Sequence, residues 1–263
     1  MRVETIGDGT PEIAIVGGIH GDEPCGVRAV ERLVADPPDV DCGVKLIVAN
    51  EEAVARETRY VETDLNRSFP GDPDGETHEE RLAARLTEEI GDCKTLALHS
   101  TQSTADAFAL VDSVGDLERG ICRHLSVRAV VETGHMADGR VFASCPSTVE
   151  VECGLQGSEA AAENAYTLCR EFLVATGALA APPDHETRTS LPVFRLSHPV
   201  PKDPADEYEV LAANFEEVAV NEVFARADTR ELRADRGFYP VLMSPYGYED
   251  VFGYMAEQVG VID

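Results

Sequence analysis

Short apolar runs at residues 13–16, 44–49, 96–98, 128–132 and 149–153 alternate with stretches whose apolar residues recur at helical spacing. Those stretches cover 23–33, 78–90 and 158–176, the middle one with Thr77 placed as a cap. Runs this short and this apolar suit strands buried on both faces, and strands joined through helices pair in parallel. The expectation is an α/β fold with a mixed, largely parallel sheet flanked by helices. The pattern breaks at 177–184, Gly-Ala-Leu-Ala-Ala-Pro-Pro-Asp, and β-like runs follow at 191–196, 208–211, 217–220 and 241–243 with no clear helical period. This divides the chain into a large domain over 1–180 and a small, mostly β domain over 181–263.

The first apolar run ends in Gly17-Gly18-Ile19-His20-Gly21-Asp22-Glu23-Pro24. Proline suits the first turn of a helix, so Glu23 opens a helix while His20 lies at the C-terminal end of a strand. An imidazole and a carboxylate on one turn supply two of the three ligands of a catalytic His2Glu zinc site. The run at 96–98 likewise ends in His99, followed by small hydroxyl and amide residues through Ser103. Ligands of open α/β sheets gather beyond the carboxyl ends of strands, where His20, Glu23 and His99 would meet. Any one of these histidines alone reads better as a strand cap hydrogen-bonded to a loop. His78, His124, His135, His185 and His198 lack the strand-end context and are read as ordinary histidines.

Two further segments carry chemistry. In the β-rich run Thr148-Val149-Glu150-Val151-Glu152-Cys153-Gly154 both glutamates point the same way. Glu152, beside the glycine end, is expected to act as a general base near a metal, and Glu150 to face solvent. The turn-rich segment from Arg59 to Gly71 holds Arg59, Asn66 and Arg67. Guanidinium groups there offer forked donors to a carboxylate or a developing oxyanion.

Together the four segments resemble the succinylglutamate desuccinylase/aspartoacylase family of zinc amidohydrolases, which are related to the metallocarboxypeptidases. Gly-Gly-x-His-Gly-x-Glu, Thr-Arg-Tyr with Asp-Leu-Asn-Arg, and Glu-x-Gly-x-Gln-Gly fall in family order between Gly17 and Gly157, and the likeness returns from Tyr239 to Tyr248. The resemblance implies a zinc carboxypeptidase-like fold and one zinc ion per chain on His20, Glu23 and His99. It implies Glu152 as general base and Arg59 as the group that polarises the scissile carbonyl. Asn66 and Arg67 would hold the substrate's α-carboxylate, and Tyr248 would be contributed to the pocket by the second domain. The implied substrate is a small N-acyl amino acid, deacylated by hydrolysis. A peptide-cleaving metallocarboxypeptidase and a zinc-dependent binding protein without turnover are the alternatives. Two positions depart from the family pattern. Ala97 stands where an aspartate often supports the last zinc histidine, and the arginine expected about ten residues before the base falls on Phe142. Arg140 is the nearest candidate for reading the acyl side.

The charge balance, 49 acidic against 22 basic residues with only Lys45, Lys94 and Lys202 as lysines, gives a net charge of −27. Such self-repulsion works against a compact state until salt shortens the Debye length to roughly 3 Å near 1 M. The chain therefore reads as adapted to a salt-loaded cytoplasm, with neither nucleic acid nor anionic membrane as partner. A homo-oligomer is compatible with the sequence. No signal segment is read at the N-terminus and no stretch is long enough to span a bilayer. Seven cysteines without a Cys-x-x-Cys pair fit a reducing interior, with Cys25 and Cys153 as small buried fillers beside the site.

Overall fold

The apolar runs become the middle strands of one sheet. The computed structural model describes residues 1–183 and 185–263; Asp184, which closes the break expected at 177–184, and the side chains of His135 and Ala137 lie outside the described residues. Among the described residues the strands are β1 (Arg2–Ile6), β2 (Pro11–Gly17), β3 (Gly43–Val48), β4 (Lys94–Thr101), β5 (Phe108–Val111), β6 (Val130–Glu132), β7 (Thr148–Leu155), β8 (Leu191–Pro201), β9 (Tyr208–Val210), β10 (Val223–Ala227), β11 (Arg230–Arg233), β12 (Tyr239–Val241) and β13 (Val251–Ile262). The helices are α1 (Pro24–Ala35), α2 (Glu51–Arg56), α3 (His78–Ile90), α4 (Asp116–Cys122), α5 (Val141–Ser144) and α6 (Glu159–Ala175).

Ten strands form one sheet in the order β1-β3-β2-β4-β7-β5-β6-β8-β13-β12, and β11-β10-β9 form a small antiparallel sheet of their own. The central run β3-β2-β4-β7 is parallel throughout. The fold is the expected mixed, largely parallel α/β sheet, with β8 and β13 extending it beyond the break. Alternation along β2 splits the core: Ile13 and Ile15 pack on one face with residues of α1 and α6, while Ala14 and Val16 pack on the other with Leu82, Leu86 and Ile90 of α3. A fully buried leucine such as Leu33 or Leu86 contributes about 1.5–3 kcal/mol by burial.

Local sequence explains several boundaries. The bounds of α3 match the expected 78–90 because Thr77 and Glu80 form a reciprocal capping box. Pro24 occupies the first turn of α1. Two expectations for the C-terminal part are corrected. No strand forms at 217–220, where Val218 makes an isolated bridge to Phe238 and Asn221 turns the backbone at φ 68°. The strand expected at 241–243 ends at Val241, since Leu242 adopts φ 53°. Among the described residues no helix is long and apolar enough to cross a membrane.

The contact that matters for the site is glycine on glycine. A Cβ on Gly17 would lie 2.4 Å from the carbonyl carbon of Gly26, and one on Gly26 would lie 2.9 Å from both Gly17 Cα and Leu98 Cβ. Only hydrogen at both positions lets the first turn of α1 press against the ends of β2 and β4. That approach brings Glu23 to the histidines.

Candidate metal centre and active site

His20 follows β2, His99 lies in β4, and Glu152 lies in β7 directly opposite His99 in the parallel register. Three neighbouring strand ends thus deliver three of the expected side chains to one place. Glu23 occupies the N-cap position of α1 yet makes no capping hydrogen bond. Its carboxylate is committed to the histidines instead, Oε1 lying 2.8 Å from His20 Nδ1 and Oε2 lying 3.0 Å from His99 Nδ1. The backbone N–H of Ser100 also donates to Glu23 Oε2 at 3.1 Å. The two Nδ1 atoms stand 3.3 Å apart.

This donor set fits a divalent metal. One ligand atom from each of His20, Glu23 and His99 lies within 4.8 Å of the others, and all three residues are buried. A tetrahedron with bonds of about 2.0–2.1 Å has edges of about 3.3 Å, close to the spacings seen. The second nitrogen of His20, Nε2, meets Asp64 Oδ1 at 3.0 Å, which fixes the ring orientation a metal-ligating histidine needs. Ala97, where the family often has an aspartate, is buried among apolar side chains, and His99 Nε2 is buried without a hydrogen-bond partner. Asp64 therefore supports one histidine, and nothing among the described residues replaces the aspartate beside the other.

Charge at this end is strongly organised. Burial works against a proton on His20, but the carboxylates of Glu23 and Asp64 outweigh it and raise its pKa. Burial likewise opposes ionisation of Glu23, and the neighbouring His20 and His99 overcome it, holding the carboxyl well below its usual range. Asp64 is held low in the same way by His20, Arg59 and Arg67. Glu152 behaves oppositely: burial first, then the charge of Glu23, push its pKa up to about 7. Glu152 Oε2 is buried with no hydrogen-bond partner. Arg59 bridges this cluster, donating through Nη1 to Glu23 Oε1 at 3.2 Å and through Nε and Nη2 to Asp64 Oδ2 at 3.2 and 3.1 Å.

The other end of the site is built on the short 3-10 turn Leu65–Arg67, capped by Asp64. The Asn66 amide is buried, donating to Glu150 Oε1 at 3.1 Å and accepting from the Val141 N–H at 3.0 Å. Arg140 donates to Glu150 Oε2 at 2.6 Å. The expectation that Glu150 faces solvent is therefore corrected: it is 0% exposed, because Asn66 and Arg140 close over its carboxylate. Arg67 donates to the backbone oxygen of Asn66 at 2.6 Å and has no carboxylate partner among the described residues. Tyr248 is half-buried at the same place, and the shielding of its hydroxyl from water raises its pKa. His20, Glu23, Arg59, Asn66, Arg67, His99, Arg140, Glu152 and Tyr248 all line one cavity of about 140 Å³.

Asp64, Glu79 and Glu150 are the residues that sequence reasoning passed over. Glu79, in the first turn of α3, accepts from the N–H groups of Val61, Glu62 and Thr63 at 2.7, 3.1 and 3.1 Å and from Asn50 Nδ2 at 3.0 Å. It clamps the segment that carries Arg59 to Arg67. Cys25 and Cys153 are buried thiols bonded to backbone carbonyls of His99 and Val151, and neither joins the donor set.

Known proteins resemble the chain in the part that carries this geometry. The family model of the succinylglutamate desuccinylase/aspartoacylase catalytic domain matches residues 9–119. Over those residues the chain is similar to the catalytic domain of this family. The matched stretch holds His20, Glu23, Arg59, Asn66, Arg67 and His99, and stops before Arg140, Glu152 and Tyr248. The chain is 25% identical over 133 residues to the N-acyl-aromatic-L-amino acid amidohydrolase (carboxylate-forming) of Xenopus tropicalis, covering 45% of this chain and 43% of that protein. It is 34% identical over 102 residues to a probable aspartoacylase of Acaryochloris marina, covering 34% and 35%. The matches thus span less than half the length of these curated relatives. Over nearly the whole chain the fold is similar to that of the succinylglutamate desuccinylase/aspartoacylase of Rhodobacter sphaeroides, with TM-score 0.78, 18% identity and coverage of 98% and 89%. Murine aminoacylase 3 superposes with TM-score 0.75 at 20% identity, covering 97% of each chain.

Proposed function

We propose that the protein hydrolyses the amide bond of an N-acyl amino acid, using one zinc ion held by His20, Glu23 and His99. The observation that carries this reading is the juxtaposition of that converging donor set with Glu152, whose buried Oε2 has no partner in the protein. Zinc bound there would supply a Lewis acid and a water acidified toward about pH 7. Glu152 takes a proton from the attacking water as its oxygen bonds to the acyl carbon. It then delivers that proton to the nitrogen as the carbon–nitrogen bond breaks, leaving a carboxylic acid and a free amine. A carboxyl with a pKa pushed up to about 7 is suited to both steps at neutral pH. Arg59 donates to the carbonyl oxygen as negative charge develops there, an effect commonly worth about 3–4 kcal/mol per donor. Arg67, with Asn66 beside it, holds the α-carboxylate and orients the amide.

Residues 181–263 act in this reading as a unit that closes the site. Leu242, Ser244, Gly247 and Tyr248 all line the small cavity, which supports a small substrate over a polypeptide. The related proteins named as an N-acyl amino acid amidohydrolase and a probable aspartoacylase support the reaction class. A salt-rich, reducing cytoplasm is the proposed compartment, supported by the net charge of −27 and by seven free thiols, six of them buried. The deciding experiment supplies zinc-loaded protein in multimolar potassium chloride with N-acyl amino acids and, in parallel, short peptides. Turnover of the first class alone is expected; turnover of peptides alone would replace this reading with a carboxypeptidase. A melting temperature that fails to rise with salt would remove the compartment.

A further inference from the structure

Three guanidinium groups face the cavity, and they are not equivalent. Arg59 is held between Glu23 and Asp64. Arg140 is 7% exposed and paired at 2.6 Å with Glu150, which is fully buried and takes a second hydrogen bond from Asn66. Burial disfavours the charge on Arg140, and the adjacent Glu150 carboxylate restores it. Only Arg67 lacks a carboxylate partner among the described residues. Two carboxylate oxygens, Asp22 Oδ1 and Glu152 Oε2, are buried without hydrogen-bond partners, as is the donor Arg140 Nε, and all three residues line the cavity.

We infer that the pocket recognises a single carboxylate on its substrate and takes an acyl group that carries no charge. The inference rests on the proposed hydrolysis of N-acyl amino acids and specifies their acyl side. Arg67 is the one cation with charge to offer, and it answers the α-carboxylate. The charge of Arg140 is already balanced by Glu150, so this side chain acts as a neutral hydrogen-bonding wall. A second carboxylate on the acyl chain would be desolvated beside a compensated ion pair and near the unpartnered oxygens of Asp22 and Glu152. Glu150 is thus a positioning residue that selects against dicarboxylate substrates. Specificity here comes from cancelling an attraction as much as from building one.

The test compares N-succinyl and N-succinamoyl derivatives of one amino acid, which match in size at the acyl terminus and differ in charge and in the amide's N–H donors, together with the N-acetyl derivative. The zinc-loaded wild-type protein should show kcat/KM higher for the succinamoyl than the succinyl compound by about ten-fold or more, the scale of one charge-assisted contact. In Glu150→Gln the ratio should move toward the succinyl compound by a similar factor, a change that general loss of packing would not produce. Equilibrium binding of the two compounds to Glu152→Gln, followed calorimetrically, should show the same order without turnover. Should Glu150→Gln fail to fold, the wild-type ratio and the calorimetric order still decide. Equal or better use of the succinyl compound by the wild type overturns the inference while leaving N-acyl amino acid hydrolysis standing. Absence of turnover and binding for all three compounds overturns both.

Discussion

At the histidine end of the cavity, ring nitrogens and carboxylate oxygens converge while His99 Nε2 and Glu152 Oε2 stay buried without partners. At the arginine end, Arg140, Glu150, Asn66 and the Val141 N–H are joined by hydrogen bonds, and Arg140 Nε is buried without a partner. Both ends are equally dry, so burial alone does not set the difference. Unsatisfied buried polar atoms are costly, and a protein retains them where a ligand will complete them. On the proposed reading the first end receives a cation and a reacting group, and the second offers hydrogen bonds around a charge paired by Glu150.

The largest break in that contrast should come from Glu152→Gln. Turnover should fall about 10²–10⁴-fold, the scale of a lost general base, while metal analysis still finds one zinc per chain. Loss of the zinc along with activity would make Glu152 a ligand and enlarge the open end. Next, Arg67→Ala should lower kcat/KM by about 10–100-fold for free-acid substrates and leave α-amidated analogues unaffected. An unchanged preference in a steady-state comparison of the two would move the α-carboxylate elsewhere. Asp64→Asn should weaken zinc binding by about 10–100-fold in a chelator competition, because His20 loses the partner that fixes its ring. The Arg140–Glu150 pair should be untouched by that change.

The smallest expected effect concerns the support between the two ends. The backbone N–H groups and Asn50 that Glu79 binds outweigh its burial and hold its pKa below the ordinary value. A carboxyl with a lowered folded-state pKa stabilises the protein fully above its unfolded value of about 4.3 and loses that contribution as pH falls through the folded value. Glu79→Gln should therefore cost about 1–3 kcal/mol at neutral pH in a denaturant melt, and the gap to wild type should narrow as the pH drops below about 4. A gap that is constant with pH would mean that packing, not charge, makes the clamp.

The histidine end was readable because its signals are local. A run of apolar residues followed by glycines and histidine marks where a strand stops, and Pro24 marks where the next helix starts. The parallel sheet then aligns those ends without further information. The arginine end was less readable because its meaning depends on partners distant in sequence. Glu150 obeys the same alternation as an exposed residue would, and only the contacts of Asn66 and Arg140 reveal that its face of the sheet is covered. Glu79 sits in an ordinary acidic first turn and acts on backbone groups 16 to 18 positions earlier, which no spacing rule registers. In the C-terminal part, β13 went unseen since Gly253 and Gly260 interrupt its pattern and residues 257–261 are exposed. Its extended form comes from pairing along β8 rather than from its own alternation.

The meeting of Gly17 with Gly26 sets how this molecule can change over time. The outward face of α1 is free to accumulate acidic or basic residues, as its exposed Arg28 and Glu31 illustrate. The joint itself has no clearance: one methyl group at Gly26 would act as a shim against Gly17 Cα and Leu98 Cβ, both 2.9 Å away. Such a shim would tilt the helix and carry Glu23 off His20 and His99 together, so a single carbon atom far from any substrate could open the whole donor set. The seam between strand and helix therefore works as a fixed stop, against which the reach of Glu23 toward the two rings is set.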